Sequence, residues 1–265
     1  LEFRTLSRRL LGVQQEEKQT AAPAKKKATA AAPDSGQMSL FGSAPAQSED
    51  KKEELPSQPV EQKNIANSPH NYWLVETPEQ RKDLLHYLNL QKEFCFDTET
   101  DSLNALEANL VGIAFSYLAG DAYYVPIPQD FEEAKSVVTE FKEVLESQSL
   151  IKIGQNIKYD LLVLKKYGIE VQGPMFDTMM AHYLIEPDAR HGMDKLAEQY
   201  LNYTPVSIEE LIGKKGKKQG NMRDANVADV AEYAGEDADI TLQLKYKLAA
   251  ELEAGNFETV LRDAL

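Results

Sequence analysis

From Tyr72 onward, short β-branched and aromatic runs alternate with stretches whose apolar residues recur at helical spacing. That alternation constrains the fold more than any other feature, because it selects a sheet covered by helices. Residues 72–75, 93–98, 110–117, 122–127 and 150–153 read as strands. Thr77-Pro78, with Gln80 behind them, form a capping box that opens a helix over 79–89. Phe131, Ala134, Val138, Phe141 and Leu145 predict a helix over 131–146, and residues 159–167 another that stops at Gly168. The last third reads as helices over 178–185, capped by Asp177, then 193–200, 208–212 and 228–253. The expectation is an α/β domain over 70–265, a mixed sheet of about five strands with helices on both faces.

Upstream the pattern stops. Residues 14–68 are dominated by Ala, Pro, Gln, Ser and Lys, with almost no aromatic side chains. Such a stretch buries too little apolar area to offset its ordering entropy, so a flexible linker is expected. Charge divides at the same place. The first 68 residues carry 10 Lys+Arg and 9 Asp+Glu, which leaves 19 and 34 to the remainder. A folded part at −15 is a poor general binder of nucleic acid, yet it can meet one through cations held by acids. One cysteine excludes a disulfide scaffold and a cysteine-ligated zinc site and points to a reducing compartment. No apolar run of 18 residues is present, so no membrane partner is expected.

Three acidic runs carry chemistry. In Phe94-Cys95-Phe96-Asp97-Thr98-Glu99, strand alternation aims Asp97 and Glu99 the same way, roughly 7 Å apart along the pleat. Cys95 shares their face one step deeper, where packing suits it better than reaction. The second run, Gly154-Gln155-Asn156-Ile157-Lys158-Tyr159-Asp160, follows a buried strand and places Asp160 in the first turn of a helix, where it either complements the helix dipole or serves a site. In the third, Tyr233-Ala234-Gly235-Glu236-Asp237-Ala238-Asp239, Tyr233 and Asp237 are four apart and share a helix face, whereas Asp239 lies elsewhere. Gly235 leaves room for a substrate backbone. Oxygen ligands without His or Cys suit Mg²⁺ or Mn²⁺ rather than zinc, and the four histidines show no ligand spacing. Two such ions about 4 Å apart form a hydrolytic site, one preparing the attacking water and the other stabilising the departing oxygen.

These runs resemble the Exo I, Exo II and Exo III motifs of the DEDD exonucleases in their tyrosine-bearing (DEDDy) subclass, as found in the 3′–5′ exonuclease domain of family A bacterial DNA polymerase I. The histidine subclass would place His at Glu232, which it does not. The resemblance implies a ribonuclease H-like fold and proofreading removal of 3′-terminal nucleotides from single-stranded DNA. It implies that Asp97, Glu99, Asp160 and Asp237 ligate two divalent ions and that Tyr233 orients the attacking water. Leu103 would wedge beside the terminal bases, Asn156 would bond near the terminal nucleotide, and Ile208 stands where relatives carry Phe, so stacking there weakens. Among basic residues, Lys214, Lys215 and Arg223 are the expected phosphate contacts.

The same resemblance implies a polymerase domain following in a longer parent, a bacterial cytoplasmic, nucleoid-associated location and a monomer. Residues 1–13 resemble the end of a preceding 5′-nuclease domain, and the missing initiator Met suggests a fragment. Within the linker, Gln37-Met38-Ser39-Leu40-Phe41 resembles the peptide by which bacterial DNA-processing proteins dock on the sliding clamp, with Gln37, Leu40 and Phe41 as anchors. The competing expectations are an RNA-trimming relative of ribonuclease D and an inactive scaffold that tethers a polymerase to the clamp.

Overall fold

The computed structural model describes residues 62–216 and 219–264. Residues 1–61, with the clamp-like peptide, most of the linker and the nuclease-like start, lie outside them, as do Lys217 and Lys218. Six strands form one sheet in the order β1-β4-β3-β2-β5-β6. They are β1 (Asn71–Leu74), β2 (Glu93–Thr100), β3 (Leu110–Leu118), β4 (Asp121–Pro126), β5 (Ile151–Gly154) and β6 (Met175–Asp177). β3 runs antiparallel to β2 and β4, and the other neighbours are parallel. The mixed sheet is as expected, and β6 is the strand the sequence did not show: three residues hold too little pattern to be read as one, and its pairing with β5 makes it one.

Helices cover both faces. The capping box forms as expected at α1 (Pro78–Asn89), with Gln80 N–H donating to Thr77 Oγ1 at 3.2 Å and Gln80 Oε1 accepting from Thr77 N–H at 2.9 Å. The helix expected over 131–146 divides into α2 (Phe131–Glu140) and α3 (Lys142–Leu145), because Phe141 leaves the helical region at φ −89°, ψ 1°. It thereby drops its ring into the core, stacked 5.0 Å from Phe115. α4 (Lys158–Lys166) follows β5. These helices enclose the core of Phe94, Phe96, Leu110, Ile113 and Phe115 on one face.

The other face packs on α8. α5 (Thr178–Ile185), α6 (Met193–Leu196), a π-turn (Ala197–Leu201) and α7 (Ile208–Ile212) lead to a 3₁₀ turn (Met222–Asp224) and then to α8 (Val227–Gly255). α8 starts at the Asn226 cap, whose side chain accepts from Ala228 N–H at 2.8 Å, and α9 (Glu258–Ala264) follows it. Ala234, Ala238, Ala114 and Cys95 sit in the core between α8 and the sheet, and their small size lets the helix axis come close. Gly235 serves that approach: a Cβ there would meet Tyr72 Cγ at 2.9 Å. It therefore admits Tyr72 and not a substrate backbone, which corrects the sequence expectation. The linker boundary shifts as well, since Lys63 forms an isolated bridge with Tyr203 and residues 64–67 make a turn on the domain.

Candidate active site

β2 delivers Asp97 and Glu99 to the face that α8 covers, and α8 delivers Asp237 opposite them. One carboxylate oxygen from each of the three lies within 4.8 Å of the others. None of the ion pairs among the described residues includes them. Asp160, in the first turn of α4, stands beside this trio and is tied to the strand, accepting from Thr98 N–H at 3.1 Å and from the Thr98 hydroxyl at 2.5 Å. Thr98 points away from Asp97 by strand parity, so it carries Asp160 from the opposite side of β2. That positioning role has no signature in the sequence.

The electrostatics follow from crowding acids in a dry place. Burial pushes Asp97 up to about 6. Glu99, Asp160 and Asp237 rise well above the usual carboxylate range, first from burial and then from the charge of Asp97 beside them. Tyr233, one turn before Asp237, is held protonated by burial and by Asp237, Glu99 and Asp97. Asp237 Oδ1 is buried without a hydrogen-bond partner. Unpaired carboxylate oxygen facing two further carboxylates is an arrangement that a hard divalent cation completes, so these residues fit such an ion.

The remaining expected residues divide by position. Leu103 rides on the loop after β2, 93 % exposed. That loop is stiff: Asp101 accepts from Asn109 N–H at 2.7 Å and Nδ2 at 2.9 Å, and Tyr159 donates to Ser102 O at 2.5 Å. Asn156 occupies the left-handed region, φ 59°, which an asparagine tolerates. Asp177 fixes its turn, accepting from Asn156 and Ile157 N–H at 3.1 and 3.0 Å as well as from Met179 and Met180 at the start of α5. The sequence showed only the cap. Ile208 opens α7 exposed, and Lys214 and Lys215 are exposed beyond that helix. Arg223 has a structural partner as well: its guanidinium donates to the carbonyls of Ile127, at 3.1 Å, and Leu110, and so fastens β3 to β4's end.

Similarity to known proteins agrees with this geometry. A family model described as 3′–5′ exonuclease matches residues 72–253. DNA polymerase I of Pseudomonas aeruginosa is 37 % identical over 168 residues, 60 % of this chain and 18 % of its own length. DNA polymerase I of Borreliella burgdorferi is 32 % identical over 195 residues, 72 % and 21 %. This chain thus spans about a fifth of those relatives. Among solved structures, Mg²⁺-bound NrnC of Brucella melitensis superposes with TM-score 0.56 at 21 % identity, covering 74 % of this chain and 88 % of that one. It shares the ribonuclease H-like arrangement of sheet and helices. The chain belongs to the family of 3′–5′ exonuclease domains carried by DNA polymerase I.

Proposed function

We propose that this domain removes nucleotides from the 3′ end of single-stranded DNA, with Asp97, Glu99, Asp160 and Asp237 holding two divalent ions, Mg²⁺ or Mn²⁺. The observation that carries the reading is the meeting of Asp97, Glu99 and Asp237 within 4.8 Å, with one Asp237 oxygen left unpaired. Bound there, such ions supply water of lowered pKa and charge against the departing oxygen. Tyr233, neutral because its site is dry and acidic, orients water as a hydrogen-bonding phenol and does not act as a base. Leu103 wedges against a terminal base, Asn156 bonds near the terminal nucleotide, Ile208 packs on it without stacking, and Lys214 and Lys215 meet the backbone. The wider setting is a bacterial cytoplasmic polymerase whose polymerase domain supplies duplex affinity, with the peptide around Gln37, Leu40 and Phe41 docking on the sliding clamp.

Digestion of a 5′-labelled single strand in Mg²⁺ or Mn²⁺ tests the reading. Cleavage from the 3′ end is expected, stopped by chelator and lowered about a thousand-fold in Asp97→Ala and Asp237→Ala, the scale of several kcal/mol of charge stabilisation. Activity that survives both substitutions sinks the mechanism. Faster digestion of RNA than of DNA transfers the reading to the ribonuclease D-like alternative.

A further inference from the structure

The segment ahead of β1 is fastened to the catalytic helix. Lys63 N–H donates to Asn202 O at 2.9 Å and Thr204 N–H to Lys63 O at 2.8 Å, while Asn64 and Asn67 close a turn between them and Ser68. His70 then makes two bonds: Nδ1 lies 2.8 Å from Ser68 O and Nε2 lies 2.6 Å from Glu232 Oε1. A carbonyl and a carboxylate only accept, so the pair favours a ring that donates from both nitrogens: burial lowers the His70 pKa, but the bonds to Ser68 and Glu232 outweigh it and hold the pKa above its ordinary value. Its other side rests 4.5 Å from Tyr72, the ring that fills the space over Gly235 and donates to Asp239 at 2.9 Å. One imidazole thus joins the turn, the first strand and α8.

Glu232 immediately precedes Tyr233, which makes this anchor local to the site. A groove of about 590 Å³ opens there, lined by the apolar Ile65, Ala66 and Leu211, by the acidic Glu210 and Asp229, and by Tyr233. Acidic side chains beside apolar ones reject phosphate and suit the face of an uncharged base.

We propose that His70 is a positioning residue for the exonuclease site: its bridge from Ser68 to Glu232 fixes residues 65–68 as one wall of the groove that holds an unpaired base beside Tyr233. This rests on the single-strand exonuclease reading above. The role concerns grip on the strand, not bond cleavage, because His70 lines the groove and its two hydrogen bonds go to Ser68 and Glu232, not to Asp97, Glu99, Asp160 or Asp237.

Steady-state kinetics in Mg²⁺ on a DNA hexanucleotide and on the nitrophenyl ester of thymidine 5′-monophosphate, which has no strand to grip, test the proposal. His70→Ala is expected to raise KM for the hexanucleotide about five-fold with kcat within about two-fold, and to leave KM for the ester unchanged. His70→Gln, which keeps one donor towards Glu232, is expected to recover most of the loss. Amide exchange at residues 63–68 is expected to quicken in His70→Ala. Unchanged hexanucleotide KM, a kcat loss shared by both substrates, or unaltered exchange overturns the role of His70. If His70→Ala does not fold, Glu232→Ala, which removes the acceptor, carries the same measurements from the other partner. A wild type that leaves the hexanucleotide intact overturns the exonuclease reading itself, and this proposal with it.

Discussion

Asp237 Oδ1, buried and unpaired, is an expense that the folded chain carries unless a cation meets it. The sign of the resulting pH dependence is fixed by the raised pKa values. An unfolded aspartate titrates near 4, whereas Asp97 in the fold titrates at about 6, so the folded state holds its proton longer. Stability is full below the unfolded value and falls as pH rises towards 6, and Glu99, Asp160 and Asp237 extend the fall to higher pH. In chelator, Tm should therefore drop between pH 5 and pH 8, and Mg²⁺ or Mn²⁺ should restore it at pH 8 far more than at pH 5. Asp237→Asn should raise Tm in chelator at pH 8 by a few degrees, about 1 kcal/mol of relieved repulsion, and abolish the rise on adding metal. A flat Tm profile in chelator would contradict the account. These acids were legible beforehand because strand parity and helical spacing alone place Asp97 with Glu99 and Tyr233 with Asp237. The partners of Arg223 were not, since sequence shows a charge but not the two carbonyls that it meets. Arg223→Ala should leave those carbonyls unsatisfied and cost about 1–3 kcal/mol of stability by denaturant titration. Its KM for single-stranded DNA should match the wild type, and a raised KM with unchanged stability would return the residue to substrate binding.

At the scale of elements, α8 governs the site because it both packs the sheet and carries Tyr233 and Asp237. Its distance from β1 and β2 rests on Gly235 against Tyr72. Gly235→Ala gains about 1 kcal/mol of helix propensity, yet the added methyl must displace the half-buried Tyr72 ring, at about 1–3 kcal/mol. The net expectation is a lowered Tm together with a lower kcat, read by thermal unfolding and by digestion of a single strand, because lifting the helix withdraws Asp237 from Asp97 and Glu99. A variant with raised Tm and full activity would show that the close approach is unnecessary. Helix boundaries were largely legible, since caps at Thr77, Asp177 and Asn226 are local chemistry. β6 and the break at Phe141 were not: one depends on pairing with β5, the other on a core position for a ring.

For the molecule as a whole, the surplus of acid in residues 69–265 sets the terms of any encounter with DNA. With Lys214 and Lys215 as backbone contacts, about two phosphates are neutralised, so log affinity for a single strand should fall with log salt at a slope of about −1.4. Lys214→Ala together with Lys215→Ala should bring the slope close to zero, and a steep slope surviving in that variant would mean that the basic contacts lie elsewhere. Residues 63–69 were not legible as part of the domain, because their hold comes from backbone pairing with the stretch around Tyr203 and from the bond of His70 to Glu232, partners more than a hundred residues away.

On the proposed reading, Asp97, Glu99, Asp160 and Asp237 together hold a pair of divalent ions. Anomalous diffraction from crystals soaked in Mn²⁺ measures this most directly. The account predicts two peaks about 4 Å apart, one enclosed by Asp97, Glu99 and Asp237 and the other on the side of Asp160. Fully ordered carboxylates with no anomalous density among them, at a concentration that supports DNA digestion, would contradict it.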